Sequence, residues 1–144
     1  MPENQTFNTP LDQLTTKARG DAKLNLADLA GTWKACDQNT RGLVRVILRA
    51  RGGDLTVHVF GACHPTPCDW GTVKGLAYAE SVSATEAIAF SAVYTPGFKE
   101  TIVTGRLDNG TLIVETYNHF TDGSGRSNYY SRGYFCKLQR KDKE

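Results

Sequence analysis

From Gly31 onward, apolar and polar positions alternate in short runs, and each run ends in a cluster of turn-forming residues. The pattern predicts eight strands, over 31–37, 42–50, 54–61, 68–79, 86–94, 98–107, 111–120 and 128–139. In RGLVRVILRAR, Val44, Val46, Leu48 and Ala50 share one face, and Arg41, Arg45, Arg49 and Arg51 share the other with Leu43 and Ile47. The arginine face is expected outside. Ile88, Phe90, Ala92 and Tyr94 share a parity opposite Ala87, Ala89, Ser91 and Val93. Between the runs, ARGGD at 50–54 and LDNG at 107–110 carry the residues of hairpin turns that tolerate positive φ. TPG at 95–97 and TDGSGR at 121–126 are further tight turns.

Every connection is short, whereas a parallel pair needs a crossover of about a dozen residues or more. The fold class expected is therefore all-β, an eight-stranded antiparallel up-and-down meander. Closing it into a barrel removes the exposed edges that so long a sheet would otherwise leave. Residues 1–25 are polar, with Pro2, Pro10 and Gly20, and read as a flexible N-terminal arm in which Leu11 and Leu14 suit one short helical turn. In LNLADLAGTW at 24–33, Leu24, Leu26 and Leu29 suit a turn that plugs one end of the core. The domain expected is a barrel over 26–140, followed by a tail at 141–144.

The last two strands do not alternate cleanly. Ile113, Glu115, Tyr117 and His119 oppose Leu112, Val114, Thr116, Asn118 and Phe120; Asn128, Tyr130, Arg132, Tyr134 and Cys136 oppose Tyr129, Ser131, Gly133, Phe135 and Lys137. A mixture of this kind suits an amphipathic pocket, which needs a few polar groups among aromatic walls. The pocket residues expected are Tyr78, Phe90, Tyr94, Tyr117, His119, Tyr130, Arg132 and Tyr134, with Trp70 near the mouth. Each also has a plain structural reading, since aromatic residues favour strands. Arg132, if inward, needs an anion, and a ligand carboxylate would serve; Glu115 on the neighbouring strand is the structural alternative.

Charge narrows the function classes. A net charge of +2 with 22% charged residues points to neither nucleic acid nor an acidic partner. The arginine stripe lacks interleaved aromatics and reads as a solvated face. GSGR at 123–126 lacks the strand–loop–helix setting of a phosphate loop. No apolar run reaches the ~20 residues of a membrane span. The start, MPENQTFNTPLDQ, has neither the basic nor the apolar region of a signal peptide. A cytoplasmic location is expected if Met1 is the native start, and a secreted or periplasmic one otherwise.

The densest chemistry is GACHPTPCDWG at 61–71. Cys63, His64 and Cys68, with Asp69, His58 or His119 as a fourth ligand, could form a zinc set, but the C-H-x3-C spacing is not that of a zinc knuckle. No metal and no cofactor is expected. The alternative is a pair of disulfides. Cys36 and Cys136 fall on the first and last strands, neighbours in a closed meander, and Cys63 and Cys68 flank HPTP. Four cysteines allow other pairings too. Two disulfides would imply an oxidising compartment.

Leu26, Leu29, Gly31, Thr32 and Trp33, an L-x-x-L-x-G-T-W run, resemble the opening of the calycins: lipocalins, fatty-acid-binding proteins, avidins and their barrel relatives. The resemblance implies that Trp33 closes the barrel base and that a basic residue near the chain's end, Arg140, packs over it. The chain departs from that pattern in having no helix after the barrel and only DQNTR where fatty-acid-binding proteins insert a helical lid. It has Trp only at 33 and 70, so the biotin-stacking tryptophans of avidins are mostly missing. CHPTPCDWG and FTDGSGRSNY also resemble a bacterial β-barrel domain of unassigned function. The expected function is non-catalytic binding of a small amphipathic or hydrophobic ligand in the barrel cavity. The alternatives are an isomerase- or cyclase-type enzyme using Glu115 and His119 in that cavity, and an interaction module with a packed core.

Overall fold

The structure, a computed structural model, describes residues 23–139. Eight strands follow one another: β1 (Gly31–Ala35), β2 (Leu43–Arg51), β3 (Asp54–Gly61), β4 (Cys68–Ala79), β5 (Ala87–Tyr94), β6 (Lys99–Asp108), β7 (Thr111–Phe120) and β8 (Tyr129–Lys137). Each pairs antiparallel with the next, and β8 returns to β1, so the sheet is a closed up-and-down barrel. The seam is short: Trp33, Lys34 and Ala35 face Lys137, Cys136 and Phe135. Turn chemistry fixes the register of the hairpins. Asn109 and Gly110 both have positive φ, at 53° and 82°, the mirror-image turn whose twist matches that of paired strands. No helix occurs among the described residues, and none there is long and apolar enough to cross a membrane, a statement that does not bear on β-barrels.

One end of the barrel is plugged by residues 24–30. Asn25 joins the sheet edge, its N–H donating to Thr85 O at 2.8 Å while its carbonyl accepts from Ala87 N–H at 3.0 Å. The turn at 27–29 closes with Ala30 N–H donating to Leu26 O at 2.9 Å, and it buries Leu26 and Leu29. The Trp33 indole N–H donates to Leu29 O at 2.9 Å, so the tryptophan is buried without losing its hydrogen bond. Lys137 Nζ stands 5.3 Å over the Trp33 ring, the place expected for Arg140, which lies outside the described residues. So do the expected turn at Leu11–Leu14 and the tail at 141–144.

The inner face is apolar from this base to mid-barrel. Val46, Leu48, Val57, Val59, Phe90, Val103, Leu112, Val114 and Phe135 are buried in one cluster with Trp33. The Phe90 ring fills the middle: a Cβ built on Gly105 would lie 2.2 Å from its Cε1. On β5, Phe90, Ala92 and Tyr94 are buried as expected, but a register shift at its start buries Ala87 in place of Ile88. Those of β2 need a correction. A register irregularity between Leu43 and Arg45 turns Leu43 inward, where it is buried, and leaves Val44 on the side of the arginines. A bulge adds one residue to one strand and so reverses the parity beyond it.

The ambiguous strands resolve just as firmly. On β7, Leu112, Val114, Thr116 and Asn118 are buried. Their partners on β8 are Phe135, Gly133, Ser131 and Tyr129. The tyrosine-rich face of β8 therefore looks outward, and the face of small residues looks in. Cys36 and Cys136 sit at disulfide distance across the seam, with Cα atoms 5.7 Å apart. Cys63 and Cys68 do so across the loop at 62–67, with Cα atoms 5.5 Å apart.

Candidate functional site at the open end of the barrel

The loops at 36–42, 62–67, 95–98 and 121–128 all lie at the end opposite the plug. There the inner face becomes polar. Asn118 Oδ1 accepts from Thr101 Oγ1 at 2.8 Å and from Lys99 Nζ at 3.1 Å. Asn118 Nδ2 donates to Thr116 Oγ1 at 3.0 Å, and Thr116 shares a 2.5 Å hydrogen bond with Ser131. The network saturates the buried amide, as a buried polar group must be.

Beside this layer the sheet parts. Pairing between β4 and β5 runs from Leu76–Ser91 to Ala79–Ala87, while both strands continue toward the open end. A cleft of about 460 Å³ opens where they diverge, lined by Asp69, Trp70 and Val73 of β4, Val93 and Tyr94 of β5, and Thr95, Pro96, Phe98 and Lys99. A bulge builds the β4 wall. Asp69 Oδ1 accepts from Gly71 N–H at 2.8 Å and lies 2.6 Å from His58 Nε2. Gly71 takes a φ of 87°, which a residue with a Cβ rarely adopts. The hydrogen bond from Gly71, and after it His58, holds the Asp69 carboxyl below the usual carboxylate range. The register shift that this entails, between His58 and Phe60, accompanies Trp70 packing on the core rather than following the outer face.

Trp70 meets Tyr94 edge to face at 5.5 Å. The Tyr94 hydroxyl is within hydrogen-bond reach of two carbonyls, Val57 O at 3.0 Å and Gly71 O at 2.9 Å, and so spans the gap between the strands. Burial pushes its pKa up to about 12. Lys99 extends between the aromatic walls, its Nζ 4.6 Å over the Trp70 ring and 5.9 Å over Phe98. Burial, and then repulsion from Arg126, lowers the pKa of its ammonium. Among the described residues Lys99 has no carboxylate partner. The cleft thus offers aromatic faces, one partly desolvated cation and a half-exposed carboxylate.

Of the residues expected in a pocket, Trp70 and Tyr94 meet here, and Phe90 lies below them as core. The other six are on the outer surface, which corrects their expected place in the cavity. Tyr78 donates or accepts a 2.8 Å hydrogen bond with Ser91 there. Tyr117, His119 and Tyr130 do come together, but on a shallow outer surface of about 450 Å³ with Ile102 and Tyr129. Tyr117 and Tyr130 are in ring contact at 5.3 Å, and the Tyr130 hydroxyl donates to Glu115 at 2.5 Å. That hydrogen bond, ahead of burial, raises the Tyr130 pKa. Arg132 is exposed, directly opposite Glu115 and 5.7 Å from the Tyr134 ring. Glu115 and His119 both lie outside the cavity that an acid–base role would need. For the five on β7 and β8 the reason is common: inner positions there go to residues that fit beside Phe135 and Val114, and these are mostly small or aliphatic.

Lys99, Phe98 and Asn118 were missed. The signal was present in FKETIVTGRLD: Lys99 shares the inward parity of Thr101, Val103 and Gly105. Among the described residues no group of three or more His, Cys, Asp or Glu side chains is placed to hold a metal ion. No protein-family model, curated protein or solved structure significantly matches the chain.

Proposed function

We propose that the protein binds a small amphipathic anion, without catalysis, in the open-end cleft between β4 and β5. The observation that carries this reading is Lys99: a partly buried ammonium between two aromatic rings, held by one amide oxygen and lacking a carboxylate partner. A ligand's acidic group would complete it, and its apolar body would lie along Trp70, Tyr94 and Phe98. Phe90 closes the barrel below, so the ligand occupies the mouth and not the centre. The reading includes calycin-like kinship, supported by the plugging turn, the buried Trp33 and the cation over it. It also places the protein in an oxidising compartment, supported by the two cysteine pairs.

The test is a fluorescence titration with 8-anilinonaphthalene-1-sulfonate, an aromatic anion, followed by displacement with dodecanoate. Saturable binding that dodecanoate reverses and that Lys99→Met abolishes supports the reading. Binding that is unaffected by Lys99→Met and Trp70→Phe refutes it. A second reading, an interaction surface, is favoured by one outer row in which Val93, Ile102, Tyr117 and Tyr130 are successive cross-strand partners, all about half exposed. Concentration-dependent self-association lost in Tyr117→Ser would favour it.

A further inference from the structure

A groove of about 640 Å³ lies where β1, β2 and the loops at 36–42 and 62–67 meet. It shares no lining residue with the open-end cleft. Lys34 of β1, Arg41 of the first loop, Arg45 of β2 and His64 of the second loop line it, and Asn39 and Thr40 add polar groups. Among the described residues that line it there is no aspartate or glutamate.

The pairing of the strands makes this charge arrangement unusual for the molecule. Elsewhere on the outer face, Arg51 lies opposite Asp54 and Arg132 opposite Glu115. Here Lys34 lies opposite Arg45. Like charges directly opposite on neighbouring strands destabilise a sheet. Arg45 also rests 5.5 Å over the Phe60 ring, which holds its guanidinium to this face. Lys34 and Arg41 have no carboxylate within salt-bridge distance among the described residues. His64 is carried on the loop bracketed by Cys63 and Cys68, whose bridging would hold its position.

We propose that this groove binds a phosphate-type dianion, either inorganic phosphate or the phosphate monoester of a small molecule. Cations from two strands and the first loop line one concavity, with His64 of the second loop beside them, and a phosphate has enough acceptor oxygens to engage several of these groups with hydrogen bonds. The groove has the size of a small-molecule site. It lacks the row of aromatic platforms on which a single nucleic-acid strand stacks, so the ligand is small and not polymeric.

The experiment is isothermal titration calorimetry with inorganic phosphate and with phenyl phosphate, at fixed ionic strength set by chloride. The variants are Lys34→Gln and Arg41→Gln, with Arg49→Gln/Arg51→Gln as a control that removes exposed charge beyond the groove. The site predicts saturable one-to-one binding, weakened about tenfold or more by either groove variant and unchanged by the control. Tighter binding of phenyl phosphate assigns the site to a monoester, and equal binding assigns it to phosphate itself. Absence of saturable binding, or an equal loss in the control, overturns the proposal. Thermal melting is a second readout. Lys34→Gln should shrink the rise in melting temperature that phosphate produces. A variant that melts lower and keeps the full phosphate-induced rise contradicts the site.

Discussion

Replacing Cys36 and Cys136 together by serine should open the weakest edge of the barrel. The β1–β8 seam has three register pairs, against ten between β6 and β7. The cross-link there closes a loop of 100 residues. On chain-entropy grounds a bridge over about 100 residues stabilises by about 4.7 kcal/mol. The Cys63–Cys68 bridge closes a loop of 5, for which the same relation gives only about 2 kcal/mol. At about 3 °C per kcal/mol for a domain of this size, the seam variant should melt about 15 °C lower than the wild type and the loop variant about 6 °C lower. Circular dichroism melts of both double-serine variants, and of oxidised and reduced wild type, measure this. Reduced wild type should match the sum of the two losses. A seam variant that loses no more than the loop variant would refute the reasoning, because it would mean that the seam holds without its covalent tie.

Other consequences follow from the cleft and the core. Tyr94→Phe removes the one O–H that Val57 O and Gly71 O share and should cost about 1–3 kcal/mol, measured by urea denaturation. Because the folded Tyr94 pKa lies near 12, above its unfolded value of 10.0, its stabilising contribution is complete below pH 10 and lost between pH 10 and 12. The fall of wild-type stability over that window should be smaller in Tyr94→Phe. Gly105→Ala drives a methyl into the Phe90 ring and should destabilise by about 1–3 kcal/mol; an unchanged melting temperature would show that the mid-barrel is not closed as described. Lys99 has a folded pKa below its unfolded value, so the burden of burying it is greatest below the folded pKa and disappears as pH rises past 10.5. Any stability gained in Lys99→Met should accordingly shrink in alkaline solution.

The barrel was legible because its turns and alternation agree. Asn109–Gly110 and Gly52–Gly53 supply positive φ where hairpins need it, and no connection is long enough for a parallel crossover. The closed order also places Cys36 beside Cys136. Much less of the site was legible. Parity cannot be counted through a bulge, and bulges reset both Leu43 and the stretch around Trp70. On β8, hydropathy favours the tyrosine face, yet Ser131, Gly133 and Phe135 face inward because the adjoining strand already fills the interior. Of the outward tyrosines, Tyr130 satisfies its hydroxyl locally with Glu115, and Tyr134 is about half exposed to water. Lys99 was overlooked because a lysine at a strand's start ordinarily faces water, whereas here the divergence of β4 from β5 gives it an aromatic slot.

The central claim is that ligand enters the open-end cleft and contacts Lys99 and Trp70. The most direct measurement is a ¹⁵N–¹H correlation titration of the oxidised protein with 8-anilinonaphthalene-1-sulfonate. The two indole N–H signals serve as internal probes, since Trp70 lines the cleft and Trp33 is buried at the plugged end. The account predicts saturable shifts at the Trp70 indole, Gly71, Lys99 and Asn118, with the Trp33 indole unmoved. Shifts confined to the outer row at Ile102, Tyr117 and Tyr130, with the Trp70 indole unmoved, would contradict it.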